Sequence, residues 1–139
     1  MSTPTANTPA PQVWPTLRAR DADALIRFLV DVVGFEETTA HRDGAGVVQH
    51  AELAWPEGGG VMLGQQREGG AQVTPPGAFS AYVVTADPDA LHDRVASKGA
   101  EITTAPFDTD YGSRDFALRD PEGNAWNFGT YPGHPRKGS

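Results

Sequence analysis

The sequence contains no cysteine. That removes disulfide frameworks, thiolate metal sites and cysteine nucleophiles from consideration, and it fits a cytoplasmic protein. Long apolar runs are also missing. None approaches the roughly 20 residues needed to span a bilayer, so no membrane association is expected. Positive charge is scarce: 11 Lys and Arg face 18 Asp and Glu, a formal net charge of -7. Such a chain repels phosphate backbones, so a nucleic-acid partner is not expected, and a neutral or cationic ligand is easier to accommodate. No nucleophile triad, phosphate loop or dinucleotide fingerprint is visible. Gly58-Gly59-Gly60 lies between two strand patterns and opens no helix, so it is a turn and not a phosphate cradle. Residues 1–12 are rich in Pro, Thr and Ala and lack a basic start and an apolar core, which predicts a loose tail, not a signal peptide.

What the chain does contain is a repeat. Asp21-Ala22-Asp23-Ala24-Leu25 returns as Asp87-Pro88-Asp89-Ala90-Leu91, 66 residues later. Gly34 returns as Gly99, and Pro56-Glu57-Gly58 as Pro121-Glu122-Gly123, each 65 residues later. Three matches in order at nearly one offset argue for a duplicated unit. Within the first copy, 13–20 has strand character, Asp21 is suited to cap a helix, and Gly34 to end it. Leu25, Phe28, Leu29 and Val32 fall at helical spacing between them. Strands are predicted over 35–41, 47–55 and 60–65. The second copy predicts a strand over 78–85, a helix over 87–98 ended by Gly99, and strands over 100–104, 111–119 and 125–130. The expected organisation is one α+β domain over 13–131, with modules 13–65 and 78–131, a Gly/Pro-rich linker at 66–77 and a C-terminal tail at 132–139. Each module has the order βαβββ.

Leu17-Arg18-Ala19-Arg20-Asp21, Gly34-Phe35 and Arg119-Asp120-Pro121-Glu122-Gly123-Asn124-Ala125-Trp126 together resemble the vicinal oxygen chelate superfamily. That group includes glyoxalase I, extradiol dioxygenases, fosfomycin-resistance enzymes and bleomycin-binding resistance proteins. The resemblance covers residues 13–131 and implies two tandem βαβββ modules whose curved mixed sheets enclose a cavity, with helices outside. Metal-dependent members place ligands on the first strand of each module and near the end of the last strand. Carried onto this sequence, those positions are Trp14, Ser80, Asn127 and its repeat mate Met62. None offers a carboxylate or an imidazole, which hard and borderline ions require. No metal and no other cofactor is therefore expected.

Strand alternation divides the remaining residues. Phe116, Leu118, Trp126 and Phe128, with their repeat mates Ala51, Leu53, Val61 and Leu63, should pack against the helices. The opposite face then carries Trp14, Thr16, Arg18, His50, Glu52, Met62, Ser80, Tyr82, Asp115 and Asn127, the candidate ligand-binding residues, together with Ser113 and Val84. Trp14 and Tyr82 could stack on a planar or cationic ligand. Trp14 could equally be ordinary core, and Trp55 could merely cover the sheet edge beside its turn. His41, His92, His134 and Arg114 are expected at the surface, and Asp21, Asp87 and Asp120 in capping and turn roles.

The leading functional reading is a metal-free protein that sequesters a small aromatic or amphipathic ligand, with antibiotic resistance as one role such binding serves. No catalytic residue is assigned. A second reading is a lyase or dioxygenase-like enzyme with a displaced metal site at His50 and Glu52. A third is a structural or regulatory dimer without ligand. Exposed sheet edges favour a homodimer in any of these cases. Whether the pocket forms within one chain or across a dimer stays open.

Overall fold

A computed structural model of the chain describes residues 10–68 and 74–137. Most of the expected N-terminal tail (1–9), the middle of the linker (69–73) and the last two residues of the C-terminal tail (138–139) lie outside the described residues.

The first module begins with β1 (Thr16–Ala19), where Leu17 and Ala19 point inward and Thr16 and Arg18 outward. The Asp21 carboxylate accepts from the Ala24 N–H and starts helix α1 (Ala22–Arg27), as an N-cap should. The expected single helix changes winding halfway: Phe28–Val33 is π-helical, ending at Gly34, whose φ of 110° only glycine adopts freely. At that end Arg94, from the other module, donates to the carbonyls of Val32 and Asp31 at 2.9 and 3.1 Å. Groups that no residue of the helix itself can satisfy thus find a partner across the module boundary. Strands β2 (Glu36–Arg42), β3 (Val48–Ala54) and β4 (Gly60–Gln65) complete a sheet of order β1-β4-β3-β2. The second module repeats the scheme with β5 (Ser80–Val84), α2 (Pro88–Ser97), β6 (Glu101–Asp108), β7 (Arg114–Arg119) and β8 (Ala125–Gly129), in the order β5-β8-β7-β6. Each sheet is mixed, because its first strand runs parallel to its last while the other pairs are antiparallel.

Strand boundaries differ from expectation by three residues or more at three places. β1 starts at Thr16 and not at residue 13, so Trp14 precedes the strand. β6 runs four residues beyond Thr104 to Asp108, through Pro106. Proline is tolerated because β6 is an edge strand, and its pairing with β7 slips between Thr104 and Phe107. β7 starts at Arg114 and not at Tyr111, because Thr109 and Ser113 close a turn through Thr109 N–H to Ser113 O (2.8 Å) around Gly112.

The predicted helix-packing face holds throughout: Ala51, Leu53, Val61, Leu63, Phe116, Leu118, Trp126 and Phe128 are all buried. They belong to one core that both modules share. Its centre is aromatic, with Phe35 5.0 Å from Trp55 and 5.7 Å from Trp126, and Trp55 6.2 Å from Phe128. Trp55 packs into this core and also covers the open edge of the second sheet, of which β5 is an outer strand. It is 8% exposed and donates its indole N–H to the Val84 carbonyl of β5 at 2.9 Å.

The two Pro-Glu-Gly turns clasp the modules reciprocally. Glu122 accepts from the backbone N–H of Arg20 (2.8 Å) and Asp21 (3.0 Å), where β1 passes into α1. Glu57, its repeat mate, accepts from the Ala86 N–H (2.8 Å), where β5 passes into α2. The turns differ inside. In the second module the buried Asp120 carboxylate accepts from Glu122 N, Asn124 N, Asn124 Nδ2 and Trp126 Nε1 at 2.8–3.0 Å. In the first module Trp55 stands where Asp120 would be, so that network has no counterpart there.

Candidate functional site

The first strands β1 and β5 belong to separate sheets, so the seam between modules is closed by side chains and not by a ladder. Along it lies a crevice of about 280 Å³ walled by Pro15, Phe35, Trp55, Val61, Tyr82, Val84 and Trp126, with the 57–60 turn at its side. That volume is near the lower end of small-molecule pockets, which start at about 300 Å³. Glycines at 58, 59 and 60 keep the turn side free of bulk. Trp14 packs beside this mouth: a Cβ on Gly60 would stand 3.0 Å from its ring, and its indole N–H donates to the Pro11 carbonyl at 3.2 Å.

The candidate residues that lie on strands take the face that alternation predicts, away from the helices; Trp14 precedes β1 and has no strand face. In the first module Thr16, Met62, Glu52 and Thr39 form one row across the sheet. Arg18 and Gly64 pair in the next row, and His50 pairs with His41. His50 and Glu52 meet at 2.8 Å, and the imidazole of His41 stacks 6.2 Å from that of His50. Arg18 reaches back over Gly64 toward the Gln65 carbonyl at 3.4 Å; a Cβ on Gly64 would collide with its guanidinium.

The second module shows the same device with different chemistry. Gly129, 65 residues after Gly64, is crossed by Tyr82, whose hydroxyl donates to Asp115 Oδ1 at 3.0 Å. It also meets Ser113 Oγ at 3.3 Å and accepts from the Tyr131 N–H at 3.1 Å. Ser113 Oγ donates to the same Asp115 oxygen at 2.5 Å. A Cβ on Gly129 would occupy the space of both Asp115 Oδ1 and the Tyr82 hydroxyl, so this meeting depends on the glycine. Burial raises the Tyr82 pKa, opposed by the bonds from Ser113 and Tyr131 and aided by the bond to Asp115 and its charge. The phenol therefore keeps its proton at neutral pH and remains a donor.

Of the ten candidates, Tyr82 is a wall of the crevice, while His50 with Glu52 and Tyr82 with Asp115 are brought into contact. Among the described residues no hydrogen bond joins the first-module set to the second-module set. Ser80 is exposed, and Asn127 turns its amide Nδ2 to the Ala81 carbonyl at 3.4 Å. Ser113, expected on the open face, is 4% exposed because Thr109, Asp115 and Thr130 enclose it. His92, expected at the surface, is half-buried with its ring edge-on to Phe116 at 5.5 Å. Arg114 is a surface group, paired with Asp89 and Asp108. Alternation assigns Trp126 to the core, where it is buried while also backing the crevice, and it gives Phe35 and Trp55 no place on the pocket face. The recurrence of the Pro-Glu-Gly turn 65 residues later was the signal that could have located the seam between the two copies.

The positions that hold metal in the metal-dependent relatives do not fit an ion here. Trp14 has an N–H already bonded to Pro11, Met62 a thioether, Ser80 a neutral hydroxyl, and Asn127 a single amide carbonyl. Among the described residues no three His, Asp or Glu side chains come together as a metal site elsewhere, so His50 and Glu52 have no third ligand among those residues. No helix among the described residues is long and apolar enough to cross a membrane.

No curated protein matches the chain in sequence. Solved structures do. TioX from Micromonospora sp. ML1 is 27% identical with a TM-score of 0.70, covering 85% of this chain and 98% of its own. TnmS3, an antibiotic-binding protein from Streptomyces sp. CB03234, is 22% identical with a TM-score of 0.68, covering 91% and 98%. A glyoxalase/bleomycin resistance protein from the same Streptomyces strain is 24% identical with a TM-score of 0.64, covering 81% and 94%. At these identities the last two speak for the fold alone. The family model named Glyoxalase/Bleomycin resistance protein/Dioxygenase superfamily matches residues 12–128, and the chain belongs to that superfamily.

Proposed function

We propose that this protein binds a small aromatic or amphipathic organic molecule in the crevice between its modules, with no metal at the superfamily's usual position. The observation that carries this reading is the crevice itself: Phe35, Trp55, Val61, Val84 and Trp126 give it apolar walls, and Tyr82 and Glu57 add polar edges. Apolar lining with few polar groups is the usual make-up of small-molecule sites. The donor chemistry of Trp14, Met62, Ser80 and Asn127 supports the metal-free part. A Lewis-acid role needs about three protein ligands and an open position, which this set does not supply. The antibiotic-binding activity named for TnmS3 supports sequestration of such a ligand as the role. We place the binding protein in the cytoplasm, in keeping with its lack of cysteine, and as a homodimer, since Phe107 and Tyr111 leave apolar surface exposed.

Thermal-shift screening against polycyclic aromatic antibiotics and aromatic metabolites tests the reading, because a ligand selective for the native state must raise the Tm. Hits should quench tryptophan fluorescence, and Trp55→Phe and Trp14→Phe should reduce that response. Metal analysis of untagged protein runs alongside. A stoichiometric transition metal lost on Asn127→Ala, or a screen in which aromatic compounds leave the Tm unmoved, overturns the proposal.

A further inference from the structure

Beside the crevice stands a carboxylate that the fold does not use up. Asp115 Oδ1 receives two hydroxyl donors, Tyr82 and Ser113. Among the described residues its second oxygen, Oδ2, accepts no hydrogen bond, and no Arg, Lys or His stands within ion-pair reach of it. Its neighbour Arg114 points to the other side of the strand and is spent on Asp89 and Asp108. Because Tyr82 and Ser113 remain neutral donors, the cluster carries the single negative charge of Asp115. This carboxylate is half-buried and rigidly placed, where a surface acid would be free to turn.

Its location relative to the crevice follows from strand register. Val84, a crevice wall, pairs with Gly129, and Gly129 pairs with Asp115. Two strand spacings, about 10 Å, therefore separate the wall from the carboxylate. Gly129 contributes no side chain between them, and the Tyr82 ring bridges the gap. One end of that ring faces the crevice and its hydroxyl holds Asp115; the residue is 41% exposed. An aromatic face next to an uncompensated carboxylate is the chemistry that recognises an ammonium group, through the ring quadrupole and the charge together.

We propose that Tyr82 and Asp115 form an ammonium subsite at the edge of the crevice, so that the ligand is an amphipathic molecule bearing a protonated amine. This rests on the crevice reading above and narrows it to one ligand class. The apolar body lies against Trp55 and Val84, and the ammonium sits over Tyr82 with Asp115 Oδ2 as its acceptor. Ser113 and the Tyr131 N–H keep the phenol from swinging away.

Three probes with one aromatic body separate the possibilities: 1-naphthylmethylammonium, 1-naphthalenemethanol and 1-naphthylacetate, each titrated calorimetrically at physiological salt. The ammonium compound should bind at least tenfold more tightly than the alcohol, and the carboxylate more weakly than either. Asp115→Asn, close to isosteric, should bring the ammonium compound to the level of the alcohol measured on the same variant. Asp93→Asn makes the same charge change at an exposed position of α2 and should preserve the preference, which separates a subsite from general attraction to a protein of charge -7. If the alcohol binds but charge makes no difference, or if Asp115→Asn keeps the preference, the ammonium subsite is overturned and the crevice reading survives. If none of the three binds, the crevice reading falls, and the subsite with it.

Discussion

Replacing Asp120 by alanine removes the acceptor at the centre of the second module's turn. The carboxylate is 4% exposed and takes four donors: Glu122 N at 2.8 Å, Asn124 N at 3.0 Å, Asn124 Nδ2 at 2.9 Å and Trp126 Nε1 at 2.8 Å. The Glu122 N–H sits on the outer part of the turn, where water can replace the lost bond. The other three belong to Asn124 and Trp126, both 0% exposed, and water has no easy route to them. A buried donor left unpaired costs about 1–3 kcal/mol. Partial relaxation of the turn offsets some of this, which leaves an expected loss of about 3–5 kcal/mol. Domains of this kind are stabilised by about 5–15 kcal/mol in total, so the variant should fold but marginally. Urea unfolding followed by tryptophan fluorescence measures the effect directly. With a slope of about 2 kcal/mol per M, the midpoint should fall by about 2 M with the slope unchanged. Asn124→Ala belongs in the same experiment, because Asn124 Oδ1 also accepts from the Phe79 N–H at 3.0 Å and ties the turn to the start of β5. The double variant should lose much less than the two single losses added, since each removes the other's partner. A loss below 1 kcal/mol for Asp120→Ala, or full additivity with Asn124→Ala, would refute the idea that this network holds the turn.

Gly129→Ala should part Tyr82 from Asp115, because the new methyl group takes the space of both contacting atoms. The raised Tyr82 pKa means that its contribution to stability is complete below the ordinary phenol range and is lost as pH rises through the folded-state value. Spectrophotometric titration of phenolate should therefore show one late-ionising tyrosine in the parent protein, absent in Tyr82→Phe and shifted down in Gly129→Ala; an unshifted curve in Gly129→Ala would contradict the geometry. Static light scattering at micromolar concentration should give twice the 14.8 kDa chain mass, and a monomer would remove the proposed homodimer.

Local rules made much of the fold legible. Asp21 and Asp87 cap their helices through the N–H three residues on, and Gly34 and Gly99 end them with positive φ, because capping is decided within a few residues of chain. Strand parity placed Ala51, Leu53, Phe116 and Leu118 inside and His50, Glu52 and Asp115 on the open face, since a pleat alternates whatever the strand packs against. The boundaries of β6 and β7 escaped the same reasoning. Pro106 is acceptable only because β6 lies at a sheet edge, and the 109–113 turn borrows bonds from Ser113 and Thr109 that sequence pattern does not reveal.

The sequence by itself determined that the chain is a duplicated βαβββ unit, because the repeat is written in residue spacing. The superfamily resemblance carries the metal positions onto Trp14, Met62, Ser80 and Asn127, whose donor chemistry is legible from side-chain identity alone. Only the tertiary structure decided where a ligand could enter. The crevice exists because Phe35 and Trp55 of one module pack on Trp126 and Phe128 of the other, and because Glu57 and Glu122 each reach the opposite module's strand–helix joint. The meeting of Tyr82 with Asp115 over Gly129 likewise joins residues 33 and 47 positions apart. Alternation assigns a side chain to a face, but the neighbours it meets there depend on register and on how two sheets come to rest against a common core.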